Sequence, residues 1–372
     1  MKRYMLSLFL LVGILIWLFP EKMRATEETT DVDVQITVAE KNGLVKNEDG
    51  SFSYYKEGEA LRNTLKKVTV DGETYYYYFR SGGRALTKSW KTIDGYRYYF
   101  GKKGRAYTGK RKIGEDIYFF SEKGRRQSGW KTIEDKTYYF SEKNGKMLTG
   151  KQMVSHYLCY FNKKGILTRR IDKNKKMVAL TYDDGPSVYT TQILDVLEKQ
   201  NAVATFFVVG NRVSRYSDTV KRAQSLGCEI GNHTYEHKDL TRLNAKEITS
   251  QIAKTDEAVK KACGVIPAIA RAPGGSLNGT VKASAGKPFI QWSVDTKDWK
   301  TRDTGKTQRA VLDHVKDGDI VLMHDIHLPT VNAAEKIVTT LLERGYQLVT
   351  VSELAECRGK LQEGVSYSQF RP

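Results

Sequence analysis

The sequence predicts two structural classes in series: a β-hairpin repeat solenoid, then an α/β domain forming a distorted (β/α) barrel of about seven strands. Three observations predict it. The first half copies itself every 20 or 21 residues; after Lys176 short apolar strands alternate with amphipathic helices; and the unusual polar residues of the second half stand at the ends of those strands.

The chain opens "MKRYMLSLFLLVGILIWLFP", with Lys2 and Arg3 ahead of an apolar run from Leu6 to Phe19. This is the layout of an export signal or a membrane anchor, expected over residues 1–25. The acidic, Thr-rich stretch "ATEETTDVDV" that follows is expected to be a solvated linker, residues 26–42.

From Gly43 the repeats begin. "YYYYFRSGGRAL", "YRYYFGKKGRAY", "IYFFSEKGRRQ", "TYYFSEKNGKML" and "LCYFNKKGIL" align on Phe79, Phe100, Phe120, Phe140 and Phe161. A degenerate copy, "GSFSYYKEGEAL", precedes them. Each copy holds an aromatic strand, a turn rich in Lys, Ser and Gly, and a second short strand, which is a hairpin pattern. A lone hairpin is marginal in water, so the copies are expected to stack and bury their aromatics on one another. From Gly43 to Arg170 there are 28 Lys+Arg against 13 Asp+Glu, a balance of +15, whereas after Lys176 the balance is 25 against 23. The basic character therefore belongs to the repeats. No zinc-finger or basic-zipper pattern accompanies it, and no nucleic-acid partner is expected.

Between the hairpins stand Ser89-Trp90, "TGK" at Thr108 to Lys110, "SGW" at Ser128 to Trp130 and "TGK" at Thr149 to Lys151. Residues 43–170 resemble the cell-wall-binding repeats of the choline-binding and glucan-binding type. The resemblance implies that Trp and Tyr of successive hairpins cage a quaternary ammonium by cation–π contact, with Trp90 and Trp130 as the candidates here. Lys110 and Lys151 hold the alternate positions, so a cage is expected only at some junctions. The positive charge offers a second mode, attachment to anionic wall polymers such as teichoic acid.

In the second half, residues 171–372, strands are expected at Met177–Tyr182, Ala204–Val209, Glu229–Asn232, Ala268–Ala272, Phe289–Val294, Asp319–Met323 and Gln347–Val351. Asp183 and Asp184 end the first strand and His233 and His237 follow the third. Arg271 ends the fourth, Asp295 and Asp298 follow the fifth, and His324 ends the sixth. Barrels of this kind carry their sites at the carboxyl ends of the strands, so these groups are expected to meet on one rim. His233 and His237 lie four apart, as on one face of a helical turn. Two imidazoles and one carboxylate suit a zinc-like divalent ion and leave a position open for water. Such a cation also explains why two carboxylates can sit side by side: it holds one and relieves the repulsion on the other.

"TYDDGP" (Thr181–Pro186), "HTYEH" (His233–His237), "RAPGG" (Arg271–Gly275), "DTKDW" (Asp295–Trp299) and "LMHD" (Leu322–Asp325) resemble, in order, the motifs of the polysaccharide deacetylases, carbohydrate esterase family 4 with the NodB homology domain. The resemblance implies a metal set of Asp184, His233 and His237, with Zn2+ foremost and Co2+ or another transition metal as substitutes. It implies Asp183 as general base, kept ionised by Arg271, and His324 as general acid, kept charged by Asp298. A backbone N–H at Gly274 would hold the oxyanion, and Trp299 and Leu322 would wall the acetyl pocket. Tyr182 replaces the family's more usual Phe, and Gly274 stands where an aromatic is usual, which opens one wall of the groove. Asp295 is expected to order its loop; His314 and His327 are expected at the surface without a role.

The function so implied is removal of N-acetyl groups from cell-wall glycan by a hydrolase acting on non-peptide carbon–nitrogen bonds, with peptidoglycan N-acetylglucosamine the leading substrate. The protein would be extracellular, secreted or membrane-anchored, on a Gram-positive wall. The alternatives are the same chemistry on an acetylated exopolysaccharide or xylan, and a non-catalytic wall-binding adhesin or scaffold. Cys159, Cys228, Cys263 and Cys357 form no short framework, so buried thiols with at most one bridge are expected.

Overall fold

The computed structural model describes residues 41–372; the expected export signal or anchor and nearly all of the linker lie outside the described residues. The chain divides into two compact units. Among the described residues, one comprises 41–95 together with Tyr99–Ala106, the other Tyr96–Tyr98 together with Tyr107–Pro372.

In the first unit Thr64–Val70 pairs antiparallel with Glu73–Phe79. Tyr77 and Phe79, two apart and on one face of the strand, are buried. The segment after each turn pairs back onto an earlier strand: Ala85 donates to the Phe52 carbonyl and Ala106 to that of Tyr76.

The second unit continues the pattern with hairpins Gly109–Ile113/Asp116–Phe120, Gly129–Ile133/Lys136–Phe140 and Gly150–Val154/Tyr157–Phe161. Tyr118/Phe120 and Tyr138/Phe140 are buried in the same alternation. Phe119 packs 5.8 Å from Phe140, and Trp130 packs 6.1 Å from Phe161, so neighbouring hairpins share their aromatics as expected. The turn glycines Gly124, Gly145 and Gly165 have φ of 74–76°, a conformation that favours glycine and explains its recurrence. The last hairpin is joined by a third strand, Leu167–Asp172. Its Leu158 and Ile171 are buried in one cluster with Met177, Ala179, Phe207 and Ile320 of the α/β domain, and Arg169 pairs with Glu353 at 3.1 Å.

The α/β domain is built on Met177–Asp183, an unbroken buried run in which every residue is covered on both faces, as parallel central strands require. It pairs in parallel with Thr205–Val208 on one side and Asp319–His324 on the other. Thr205–Val208 pairs with Glu229–Asn232, Asn232 bridges to Ala270, and Ala270 bridges to Phe289. Val294–Asp295 then pairs with Val321–Leu322, closing a distorted barrel.

All seven expected segments lie in this structure, with three local differences. The expected strand Ala268–Ala272 shrinks to bridges at Ala270. Phe289–Val294 splits into Phe289–Ile290 and Val294–Asp295, because the carbonyls of Ile290 and Gln291 turn to the Arg271 side chain instead of a ladder. Gln347–Val351 keeps only Gln347–Leu348 as strand; Thr350 and Glu353 form a capping box that starts the helix Val351–Arg358 at Val351. A further short strand, Ser366–Tyr367, lies in parallel beside Phe289–Ile290.

Helices cover the barrel. Ala245–Cys263 starts at a capping box of Asn244 and Glu247 and stops at Gly264, whose φ is 81°. Thr190–Lys199 and Leu328–Glu343 bury Ile193, Leu194, Leu197, Ile337, Val338 and Leu341 against the central strands. All four cysteines are free thiols.

Candidate active site

Strand register sets the rim. Asp183 stands level with His324 on one neighbour and with Phe207 on the other, and Arg271 follows directly on the Ala270 bridge. The first strand therefore delivers its carboxylate between the histidine-bearing strand and the arginine-bearing segment.

His233 Nδ1 lies 2.8 Å from the Arg271 carbonyl oxygen. A carbonyl only accepts, so Nδ1 donates to it, and Nε2 faces inward. That Nε2 is 3.2 Å from Asp184 Oδ1, and His237 Nε2 is 2.9 Å from the same oxygen. The three ligand atoms of Asp184, His233 and His237 all lie within 4.8 Å of one another. Two imidazole nitrogens and one carboxylate oxygen gathered this closely fit a divalent transition metal.

The two histidines do not share a helical turn. Residues 233–237 form an irregular loop in which Thr234 and His237 have φ of 64° and 57°, and their side chains meet because the chain reverses. Asn232 organises the reversal: it is buried, accepts from the Thr234 N–H and donates to Asp256 Oδ1 and the Ile252 carbonyl. Gln251 Oε1 accepts from the N–H groups of Tyr235 and Glu236. Asp184 has φ of 70°, and its carbonyl accepts from Arg212 at 2.7 Å. Burial opposes ionisation of Asp184, yet the hydrogen bonds from His233 and His237 hold its carboxyl far below the usual range. The Asp184 hydrogen bond raises the His237 imidazole against its partial burial.

Asp183 is buried and stands just outside the three-ligand set, its Oδ2 3.8 Å from His233 Nε2. Its Oδ1 accepts from Arg271 Nη1 at 2.7 Å. Arg271, 0% exposed, also donates from Nη1 to Thr181 Oγ1, from Nε to the Ile290 carbonyl and from Nη2 to the Gln291 carbonyl. Its guanidinium lies 4.1 Å from the Phe207 ring centroid. Burial draws the Arg271 pKa down while the Asp183 charge supports the protonated form.

Across the rim, His324 Nδ1 is 2.8 Å from Asp298 Oδ1. Asp298 is buried and fully engaged: Oδ1 also accepts from the Trp299 N–H, and Oδ2 from the His324 N–H and Thr330 Oγ1. Burial lowers the imidazole pKa, but the hydrogen bond and charge of Asp298 outweigh it, so His324 ends above its ordinary value. Asp298 falls below the carboxylate range through the same pair, against the opposing effect of its own burial.

The other expected residues divide. Gly274, with φ of 60°, sits exposed in a turn closed by the N–H groups of Gly275 and Ser276, and its own N–H takes no part in those two bonds. An added Cβ there meets only Ser276 Oγ at 3.9 Å, in keeping with an open groove wall. Leu322 is buried beside Asp295 in the ladder, and Trp299 is 49% exposed next to Asp298. Asp295 accepts from the Lys297 N–H, as a loop-ordering residue does. His327 is buried, not superficial; it caps the helix Leu328–Glu343 and contacts Arg302.

Thr181, Thr330 and Asp325 went unread in the sequence. The two threonines look like ordinary strand and helix residues until their hydroxyls are seen on Arg271 and Asp298. Asp325 is buried, holds Thr190 Oγ1 at 2.5 Å, and is pushed by burial to about 7. Its position directly after His324 was the available signal.

The model for the polysaccharide deacetylase family matches residues 170–288, that for the choline-binding repeat residues 127–167, and that for a putative cell wall binding repeat residues 88–106. The chain is 43% identical over 196 residues to peptidoglycan-N-acetylglucosamine deacetylase PgdA of Listeria monocytogenes, covering 52% of this chain and 42% of that protein. It thus spans less than half the length of that relative. It is 37% identical over 199 residues to a peptidoglycan-N-acetylglucosamine deacetylase of Bacillus cereus, covering 51% of this chain and 93% of the relative. Among solved structures, a family 4 acetyl xylan esterase of Clostridium thermocellum holding a cobalt ion superposes with a TM-score of 0.50 at 33% identity, covering 52% of this chain and 98% of the other. The rim geometry and these likenesses agree: the chain belongs to the polysaccharide deacetylase family and carries cell-wall-binding repeats ahead of that domain.

Proposed function

We propose that this protein is a metal-dependent deacetylase that hydrolyses N-acetyl groups of cell-wall glycan, foremost the N-acetylglucosamine of peptidoglycan, and that its repeats keep it at the wall. The observation that carries the reading is the division of labour between neighbouring carboxylates. Asp184 lies among the imidazoles, whereas Asp183, 3.8 Å from His233 Nε2, is reserved by Arg271.

Asp184, His233 and His237 would hold the divalent cation, zinc or a transition metal such as cobalt. The cation supplies Lewis acidity toward the acetyl oxygen and a nucleophilic water at neutral pH. Asp183 accepts the proton of the attacking water as the new C–O bond forms. Arg271 keeps that carboxylate in place through a fixed planar fork. The Gly274 N–H, outside the hydrogen bonds of its turn, is available to the oxyanion. His324, kept protonated by Asp298, gives its proton to the departing nitrogen; the C–N bond breaks, and acetate and a free amine leave. Trp299 and Leu322 bound the space for the acetyl methyl.

The repeats would raise the local concentration of substrate by tethering. Their candidate ligands are choline and an anionic wall polymer. Both parts of the reading support a wall-associated, extracellular site of action on a Gram-positive cell.

Acetate release by the full chain from purified peptidoglycan, with mass spectrometry of the muropeptides, tests the proposal. The expected product lacks acetyl on N-acetylglucosamine. Release confined to N-acetylmuramic acid or to ester-linked acetyl xylan would overturn the substrate, and no release with full metal content would overturn the activity.

A further inference from the structure

The aromatic strands of the repeats already carry cations of the chain's own. In the first unit the Arg105 guanidinium lies 3.6 Å from the Tyr75 ring centroid, and its Nε donates to Tyr77 Oη at 3.0 Å. In the second unit Arg125 repeats the arrangement, 3.7 Å from the Tyr96 ring centroid with its Nε 3.3 Å from Tyr98 Oη. One copy further on, Asp116 takes the place of that ring, and Lys146 pairs with it at 2.8 Å. Arg105, Arg125 and Lys146 each directly follow the turn glycine of their copy, Gly104, Gly124 and Gly145. The cation is therefore built into the repeat, and its partner changes with it.

Trp130, one of the two ligand candidates, is occupied in a similar way. It packs edge-on against Tyr139 at 4.9 Å and tilted against Phe161 at 6.1 Å, and Arg170 lies 5.8 Å from its ring and 4.6 Å from that of Tyr157. At the alternate position Lys110 lies 4.3 Å from the Tyr138 ring centroid. A quaternary ammonium seeks the same electron-rich faces. A guanidinium tethered within the fold competes for them at an effective concentration on the order of millimolar or higher. Meanwhile the +15 balance of Gly43–Arg170, 28 against 13, is presented outward: Lys102 and Lys103, Lys123, Lys143, and Lys163 and Lys164 are exposed at successive turns.

We infer that the repeats bind an anionic, phosphodiester-bearing wall polymer, the faces of Tyr75, Tyr96 and Trp130 being closed to a quaternary ammonium by Arg105, Arg125 and Arg170. This rests on the reading that the repeats attach the chain to the wall. It narrows that reading to one ligand chemistry.

The test measures binding of the full chain to poly(glycerol phosphate), with no acetate assay involved, so its outcome is separate from that of the deacetylase reading. Binding is expected to weaken at least about ten-fold between roughly 50 and 500 mM NaCl, as screening of exposed charges requires. It is expected to be indifferent to choline chloride at matched ionic strength. The combined variant Lys123→Glu, Lys143→Glu, Lys163→Glu and Lys164→Glu is expected to lose at least about ten-fold in affinity with its thermal midpoint unchanged. Displacement by choline, salt-insensitive binding, full affinity in the folded variant, or no binding to the polymer would each overturn the inference.

Discussion

Arg271 Nη1 lies 2.7 Å from Asp183 Oδ1, and the other contacts of the same guanidinium run to Thr181 Oγ1 and to the carbonyls of Ile290 and Gln291. One planar group thus fixes the position of a carboxylate and closes the gap where the fifth expected strand breaks. Arg271→Met should leave Asp183 buried without its counter-charge and destabilise the domain by about 3–5 kcal/mol. Arg271→Lys should recover little, because an ammonium cannot reach partners spread around a fork. Thermal or denaturant unfolding of both variants checks this, and near-wild-type stability of Arg271→Lys would contradict it.

The Asp298–His324 pair predicts a pH dependence. The folded-state pKa of His324 is raised, so the imidazolium needed for proton donation is present at lower pH and lost as pH rises through that value. Asp298→Asn removes the charge and leaves burial, which favours the neutral ring. The alkaline limb of the kcat/KM profile should therefore move to lower pH, by about one pH unit or more. An unmoved limb would assign it to another group.

Tyr182 is fully buried and stacked 5.3 Å from Phe206, and its hydroxyl meets no hydrogen-bond partner among the described residues. Tyr182→Phe should keep the stacking, remove an unsatisfied polar group and stabilise the domain by about 1 kcal/mol. Activity should be retained. A lower unfolding midpoint in the variant would reveal a partner for the hydroxyl.

What was legible follows from which forces act locally. The runs Met177–Tyr182 and Asp319–Met323 read as strands because burial on both faces demands continuous apolar sequence. The rim residues read because strand ends and motif spacing locate them. The loop at residues 233–237 did not: a four-residue His spacing suits a helical turn, and only the tertiary bonds of Asn232 and Gln251 impose the left-handed residues Thr234 and His237. Thr181, Thr330 and Asp325 escaped for a related reason, since a buried hydroxyl or carboxyl has its partner far away in sequence. In the repeats, spacing gave the hairpins, but Arg105 over Tyr75 spans 30 residues and shows only in three dimensions.

In the proposed mechanism Asp184, His233 and His237 hold the metal while Asp183, beside them, handles the proton. Acetate release and bound metal per chain, compared between the wild type and Asp183→Asn in this whole chain, separate the two roles. Equal metal content is expected, with a rate reduced by about 10²–10⁴-fold in Asp183→Asn. A fully active Asp183→Asn variant, or one that has lost its metal, would contradict it.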